Sequence, residues 1–287
     1  DYYDSRMINN YVYAIVNQPI NYENDDVVMP LIKYGAVTSA IIPEDIYYFD
    51  IPDYNYRLTT IFALNLDDNN VEKANFLTGY TQTIFVSEEN IYLTSQKQIS
   101  YGDYQKKLFE ETYIKLVDSS TANNIRDAID NKDYNRVQEL LEEYYNKLSQ
   151  NEKDKFEKDL AEKMREVEAE IQKEIQKTII HKISINKNEI KYIARGEVPG
   201  TVLNQFSMDE YQGNFRIATT TGEVFSGSSL NHMYVLDENM DTIGRLEDLG
   251  YKEKIYSVRF IEERAYMVTF KKIDPLFVID LSIPENP

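Results

Sequence analysis

Ile84-Phe85-Val86-Ser87-Glu88-Glu89-Asn90-Ile91-Tyr92-Leu93-Thr94 is the stretch on which the fold turns. Two short runs of β-branched and aromatic residues flank three polar ones, the pattern of a β-hairpin closed by a tight turn. The pattern returns at Val258-Arg259-Phe260-Ile261, Glu262-Glu263-Arg264 and Ala265-Tyr266-Met267-Val268-Thr269. A looser copy runs from Arg6 through Asn9-Asn10 to Tyr11-Val12-Tyr13-Ala14-Ile15. Another goes from Gln205 through Asp209-Glu210 and Gly213 to Phe215-Arg216-Ile217-Ala218.

Each hairpin is followed by a third strand that ends in an acidic residue. Examples are Thr60 to Asp67, Met233 to Asp237 and Pro275 through Asp280 to Leu281. The first two continue through a polar turn into a fourth strand, at Val71 to Leu77 and Thr242 to Leu246. Four antiparallel strands recurring at about 40–50 residues are the mark of a propeller blade. The expected fold is therefore mainly β: β-propeller blades of four antiparallel strands, spanning 1–80, 81–204, 205–250 and 251–287. A single β-sandwich would not produce this strand order. The last blade lacks a fourth strand, so a partial propeller is expected, the chain being part of a larger one with open edges at both ends.

The segment from Asp103 to Lys177 has a helical period instead. Tyr104, Leu108, Phe109, Tyr113, Leu116 and Val117 share one face, and so do Val137, Leu140, Leu141, Tyr144 and Leu148. Ser149 and Glu152 have capping-box spacing. The helix they open carries a stripe of Phe156, Leu160, Met164, Val167, Ile171, Ile175 and Ile179. At about 1.5 Å per residue it reaches about 40 Å and should project beyond a blade. A shorter turn of helix is expected over 122–130. The domain expectation is thus blades over 1–102, an α-helical hairpin insertion over 103–178, and blades again over 179–287.

Composition narrows the partners. The 31 basic and 49 acidic residues give a net charge of −18. Such a surface repels nucleic-acid backbones and anionic membranes. No cysteine is present, which removes disulfides, thiolate metal sites and a cysteine nucleophile together. No apolar run approaches the roughly 18 residues of a membrane span. Acidic pairs such as Asp25-Asp26 and Asp67-Asp68 are ordinary solvated turns.

Candidate chemistry is sparse. His181 and His232 are the only histidines, and both read as structural or surface residues. Ser226-Gly227-Ser228-Ser229 lies near His232 and Asp237 but lacks a nucleophile-elbow motif, and strand alternation would scatter the three side chains. Asp237, Asn239 and Asp241 match the first, third and fifth positions of a calcium loop, with Asp248 at the twelfth. Thr242 stands where that loop needs glycine for its sharp turn. The same residues also read as a blade turn. They are the metal candidates, and calcium the one cofactor in view.

The segment Arg195-Gly196-Glu197-Val198-Pro199-Gly200-Thr201-Val202-Leu203-Asn204-Gln205-Phe206-Ser207-Met208-Asp209-Glu210-Tyr211 carries a family resemblance, together with Phe215-Arg216-Ile217-Ala218-Thr219-Thr220. So do Thr178-Ile179-Ile180-His181-Lys182-Ile183, Asn231-His232-Met233-Tyr234-Val235-Leu236-Asp237 and Asp274-Pro275-Leu276-Phe277-Val278-Ile279-Asp280-Leu281. These resemble the secreted or membrane-anchored β-propeller proteins of archaea and bacteria, distantly related to WD repeats. The resemblance implies an extracytoplasmic location and no particular reaction. Within the first segment, Pro199-Gly200 suits a type II turn leading from one blade to the next. Asn204, Gln205, Asp209 and Arg216 then fall on or beside inner strands near a central channel. Their expected role is to hydrogen-bond buried backbone and hold blades together.

The functional expectation is an extracytoplasmic binding or scaffold module without a reaction of its own. Its partner would be a protein or cell-envelope component, and the helical insert or the open blade edges would offer surfaces for oligomers. The alternative is a carboxylate- or calcium-dependent hydrolase or lyase with its site at the channel.

Overall fold

The computed structural model describes residues 2–23, 26–34, 37–49, 56–222, 227–270 and 275–287. Asp25, Ser226 and Asp274 lie outside the described residues. The chain forms two compact units, one of Asp1–Gln98 with Gln176–Pro287 and one of Ile99–Ile175.

The larger unit is built of β-sheets. Its first hairpin joins β1 (Tyr2–Ile8) to β2 (Tyr11–Pro19). Two small hairpins follow, β3 (Asn21–Glu23) with β4 (Asp26–Val28), and β5 (Leu31–Tyr34) with β6 (Val37–Ala40). With β7 (Ile46–Tyr48), β8 (Arg57–Asn65) and β9 (Val71–Thr78), the first sheet has the order β1-β2-β8-β9-β7. Strand β7 lies parallel to β9 and extends the sheet beyond the four strands expected. Its three residues have no hairpin partner beside them in sequence, so no local pattern announces it.

The second sheet holds β10 (Thr81–Val86), β11 (Asn90–Gln96), β12 (Lys177–Asn186) and β13 (Glu189–Pro199), in that order. The third contains β14 (Thr201–Val202), β15 (Met208–Tyr211), β16 (Asn214–Thr221), β17 (Leu230–Leu236) and β18 (Thr242–Leu249). Here β14 and β15 both pair with β16, and β17 and β18 follow. The fourth has β19 (Lys254–Ile261), β20 (Arg264–Phe270) and β21 (Leu276–Asp280). Gly200, between β13 and β14, has φ of +91°, the left-handed geometry that glycine adopts without a Cβ clash.

Strand alternation explains how the sheets pack. In β11, Ile91 and Leu93 join a core with Tyr13, Ile15, Ile61 and Phe76 of the first sheet. Tyr92, between them, points the other way and joins Phe215, Ile217 and Tyr234 of the third. The Tyr92 and Phe215 rings stack with centroids 4.2 Å apart. A third core links Met233 and Val235 to Ile255, Val258, Met267 and Ile279 of the fourth sheet. Each buried aliphatic side chain contributes about 1.5–3 kcal/mol, so these three seams hold the unit together. The other face of the fourth sheet leaves Tyr256, Phe270, Leu276 and Val278 exposed.

The smaller unit contains α1 (Tyr101–Glu111), α2 (Ser119–Asp130), α3 (Tyr134–Lys147) and α4 (Gln150–Ile175). Polar caps restart the chain between successive helices. The Asp118 carboxylate accepts from the backbone N–H groups of Ser120 and Thr121, and that of Asp133 accepts from Arg136 N–H. Ile125, Ile129, Val137 and Leu140 form the α2–α3 core, and Leu108 packs with Val167 and Ile171 between α1 and α4. The expected stripe overruns the end of α4. Ile179 belongs to β12, where pairing with both β11 and β13 outweighs helical periodicity. Among the described residues no helix is long and apolar enough to cross a membrane.

Candidate functional site

Counting inward from each hairpin turn, the third cross-strand pairs are Arg6–Tyr13, Ile84–Leu93, Asp209–Arg216 and Arg259–Tyr266. Three of these four positions on the first strands are charged. The turns beside them are also alike, since Asn9, Gln212 and Glu262 take φ of +52°, +51° and +49°. The first strands of these four hairpins converge on one cavity of about 280 Å³, lined by Arg6, Phe85, Gln205, Phe206, Asp209 and Arg259 among others.

Its polar groups are linked across long sequence distances. Arg6 Nη2 donates to Gln205 Oε1 at 2.7 Å, and Arg6 Nη1 donates to Asp4 Oδ1 at 2.9 Å. Arg216 is buried; its Nε donates to Asp209 Oδ2 at 2.9 Å, and its Nη1 donates to the backbone oxygen of Glu262. The same guanidinium lies 4.8 Å from the Tyr211 ring centroid and 5.1 Å from that of Phe260. Burial lifts the Asp209 carboxyl above its usual range, although Arg216 pulls the other way.

Arg259 differs. Its guanidinium lies 4.2 Å from the centroid of the Phe206 ring, and Nη1 donates to the Val258 backbone oxygen at 2.7 Å. Among the described residues it forms no ion pair.

Another polar stitch joins the second and third sheets. Glu210 accepts from Asn90 Nδ2 at 2.9 Å and from Ser87 Oγ. The Tyr92 phenol, pushed well above the usual tyrosine value by burial and then by Glu210, stays neutral. A larger hollow of about 840 Å³ lies beside the turns of the first two sheets, among Asn10, Asp67, Glu88 and Glu89. Its Asn10 donates to Asp67, and although Lys187, Tyr11 and Tyr13 also line it, no cation–aromatic contact joins them among the described residues.

Of the residues singled out from sequence, Gln205 and Asp209 line the cavity and Arg216 braces Asp209 from behind. Asn204 does not line it; its Oδ1 accepts from Phe206 N–H at 2.9 Å and caps the turn at Gln205–Ser207. Asp237 Oδ1 accepts from the N–H groups of both Asn239 and Asp241, at 2.9 Å each, so the metal-candidate loop closes on itself. Among the described residues no three or more His, Cys, Asp or Glu are grouped to hold a metal ion.

His181 is buried in β12 against Phe49, with ring centroids 4.3 Å apart. Burial, then the nearby Arg195 charge, pushes it down to about 3. His232 Nδ1 accepts from Asp248 N–H at 3.3 Å, which leaves Nε2 to donate to Thr221 Oγ1 at 2.8 Å. Among the described residues neither imidazole hydrogen-bonds to a serine.

The residues missed from sequence are Arg6, Phe206, Arg259 and Phe260. A constant offset could have found two of them, since Arg6 and Arg259, like Asp209, stand three residues before the left-handed turn residue.

The chain is 32% identical to an uncharacterised protein of Methanocaldococcus jannaschii and 30% identical to one of Archaeoglobus fulgidus, in each case over 100% of this chain and 46% of the relative. It therefore spans about half the length of the curated relatives it matches. Among solved structures, an acylaminoacyl peptidase of Pyrococcus horikoshii is similar at TM-score 0.40 and 9% identity, over 96% of this chain and 30% of that one. A likeness at that level says nothing of function. The family model described as a beta propeller domain matches residues 1–287, and the chain belongs to that family.

Proposed function

We propose that this chain is a binding or scaffold module of an extracytoplasmic protein, with no reaction of its own. Its four sheets would be blades of a larger propeller, the second of them interrupted by the helical unit. The observation that carries this reading is the cavity shared by the four first strands. It gathers arginine, amide and aromatic side chains and contains no nucleophile paired with a base. The apolar open face of the fourth sheet supports the larger-propeller reading, because each of the other seams buries residues of this kind. In the isolated chain that face offers a surface for self-association.

The test is retention of a partner from cell-envelope extract by the immobilised chain, alongside turnover assays on hydrolase substrates with and without calcium. A saturable partner and no turnover are expected. Turnover without any partner would replace this reading with the hydrolase one. Cell fractionation checks location, and recovery of the protein in the cytosol alone would overturn the extracytoplasmic part.

A further inference from the structure

We infer that the cavity at the four first strands binds a carboxylate of a peptide, through Arg259, Arg6 and Gln205, with Phe206 beneath the adjoining apolar group. This rests on the reading of the chain as a binding module and names the ligand chemistry at its site.

Stacking on Phe206 holds the Arg259 guanidinium flat, and its Nε and Nη2 donors have no partner among the described residues. A fixed guanidinium fork matches the two oxygens of a carboxylate. Arg6 is held from two sides by Asp4 and Gln205, while Gln205 Nε2 has no partner among the described residues. Three donors thus face one hollow in a chain of net charge −18, where a cationic cavity runs against the average surface.

The same surroundings limit the ligand's charge. Asp4 and Asp209 stand beside the arginines, so a single negative charge is favoured over a phosphate dianion or a nucleic-acid strand. The volume of about 280 Å³ admits a side chain or chain end and its neighbour, not a folded domain. Phe206, half exposed at the rim, offers a face to that neighbour.

Calorimetric titration of the whole chain with acetyl-Phe-Glu-amide, which carries a single carboxylate, and separately with the uncharged acetyl-Phe-Gln-amide, tests the inference. The acid is expected to bind, and the amide to bind at least about tenfold more weakly. Arg259→Gln and Arg6→Gln should each weaken the acid about tenfold, Arg259→Lys by less, and Arg264→Gln, at the exposed start of β20, not at all. Equal binding of acid and amide, no binding up to about 10 mM, or full affinity in Arg259→Gln would overturn it. So would equal displacement by inorganic phosphate, which would mark a general anion site. The comparison of acid with amide needs no variant, so it stands even if a substitution unfolds the chain. If Arg259→Gln still retains the envelope partner, the carboxylate inference fails and the binding module stands. If the unaltered chain retains none, the module itself fails.

Discussion

Neutral His181 sits among Phe49, Tyr192 and the second-sheet strands, with its pKa at about 3 rather than the roughly 6.5 of an exposed imidazole. Between those two values the unfolded chain takes up a proton that the native chain refuses. Stability therefore falls as pH falls, by about 1.4 kcal/mol per pH unit for this one group. His181→Phe should make the decline between pH 6 and 4 shallower by that amount, read as the difference in urea-unfolding free energy. An unchanged slope would assign the acid sensitivity to other groups. At the hairpin turn of the fourth sheet, Glu262 holds φ of +49°, a conformation that costs an L-residue about 1–2 kcal/mol. Glu262→Gly keeps the backbone oxygen that Arg216 donates to, and should raise stability by about 1 kcal/mol in the same measurement. A loss of stability would mean that the carboxylate itself supports the turn.

At the scale of elements, β11 and β12 are paired from Asn90–Ser184 to Gln96–Thr178, and Lys97 N–H continues the ladder to Lys177 O at 2.8 Å. Glu197 locks the same end, with Lys97 and Lys177 Nζ each 3.2 Å from a carboxylate oxygen and Arg195 at 3.1 Å. Burial alone would raise this carboxyl, but the two ammonium groups hold it below its usual range. Replacing 99–175 by a two-residue Asn-Gly turn should therefore leave a cooperatively melting β protein. Circular dichroism with thermal unfolding checks this, and loss of the strand signal would refute it. The elements most legible in the sequence were these locally closed ones. Alternation over four to eight residues and a polar turn are information contained in one short window. Strand β7 was not legible, because its partner β9 lies about 30 residues on and runs parallel. The junction of α4 with β12 was misplaced because Ile179 fits both a helical stripe and a strand. At the cavity, Gln205, Asp209 and Arg216 came from one continuous segment. Arg6 and Arg259 joined them only through the convergence of strands remote in sequence.

In the whole sheet unit, each of the first three sheets lays one face on the next, and the last lays Tyr256, Phe270, Leu276 and Val278 against water. The isolated chain should then associate as its concentration rises, and Leu276→Lys with Val278→Lys should return it to monomer, as read by sedimentation velocity. Oligomers that survive the pair of lysines would move the contact elsewhere. The hydrogen bond between Arg6 and Gln205 spans 199 residues, whereas hairpins close over a handful. Loops that long close late, since their entropy must be met before the contact rewards it. Sheets made of successive strands can form one after another as the chain leaves the ribosome, and the Arg6–Gln205 clasp must wait for the third. The cavity is thus among the last features to mature, and whatever it holds would recognise only a chain whose four sheets are already in place.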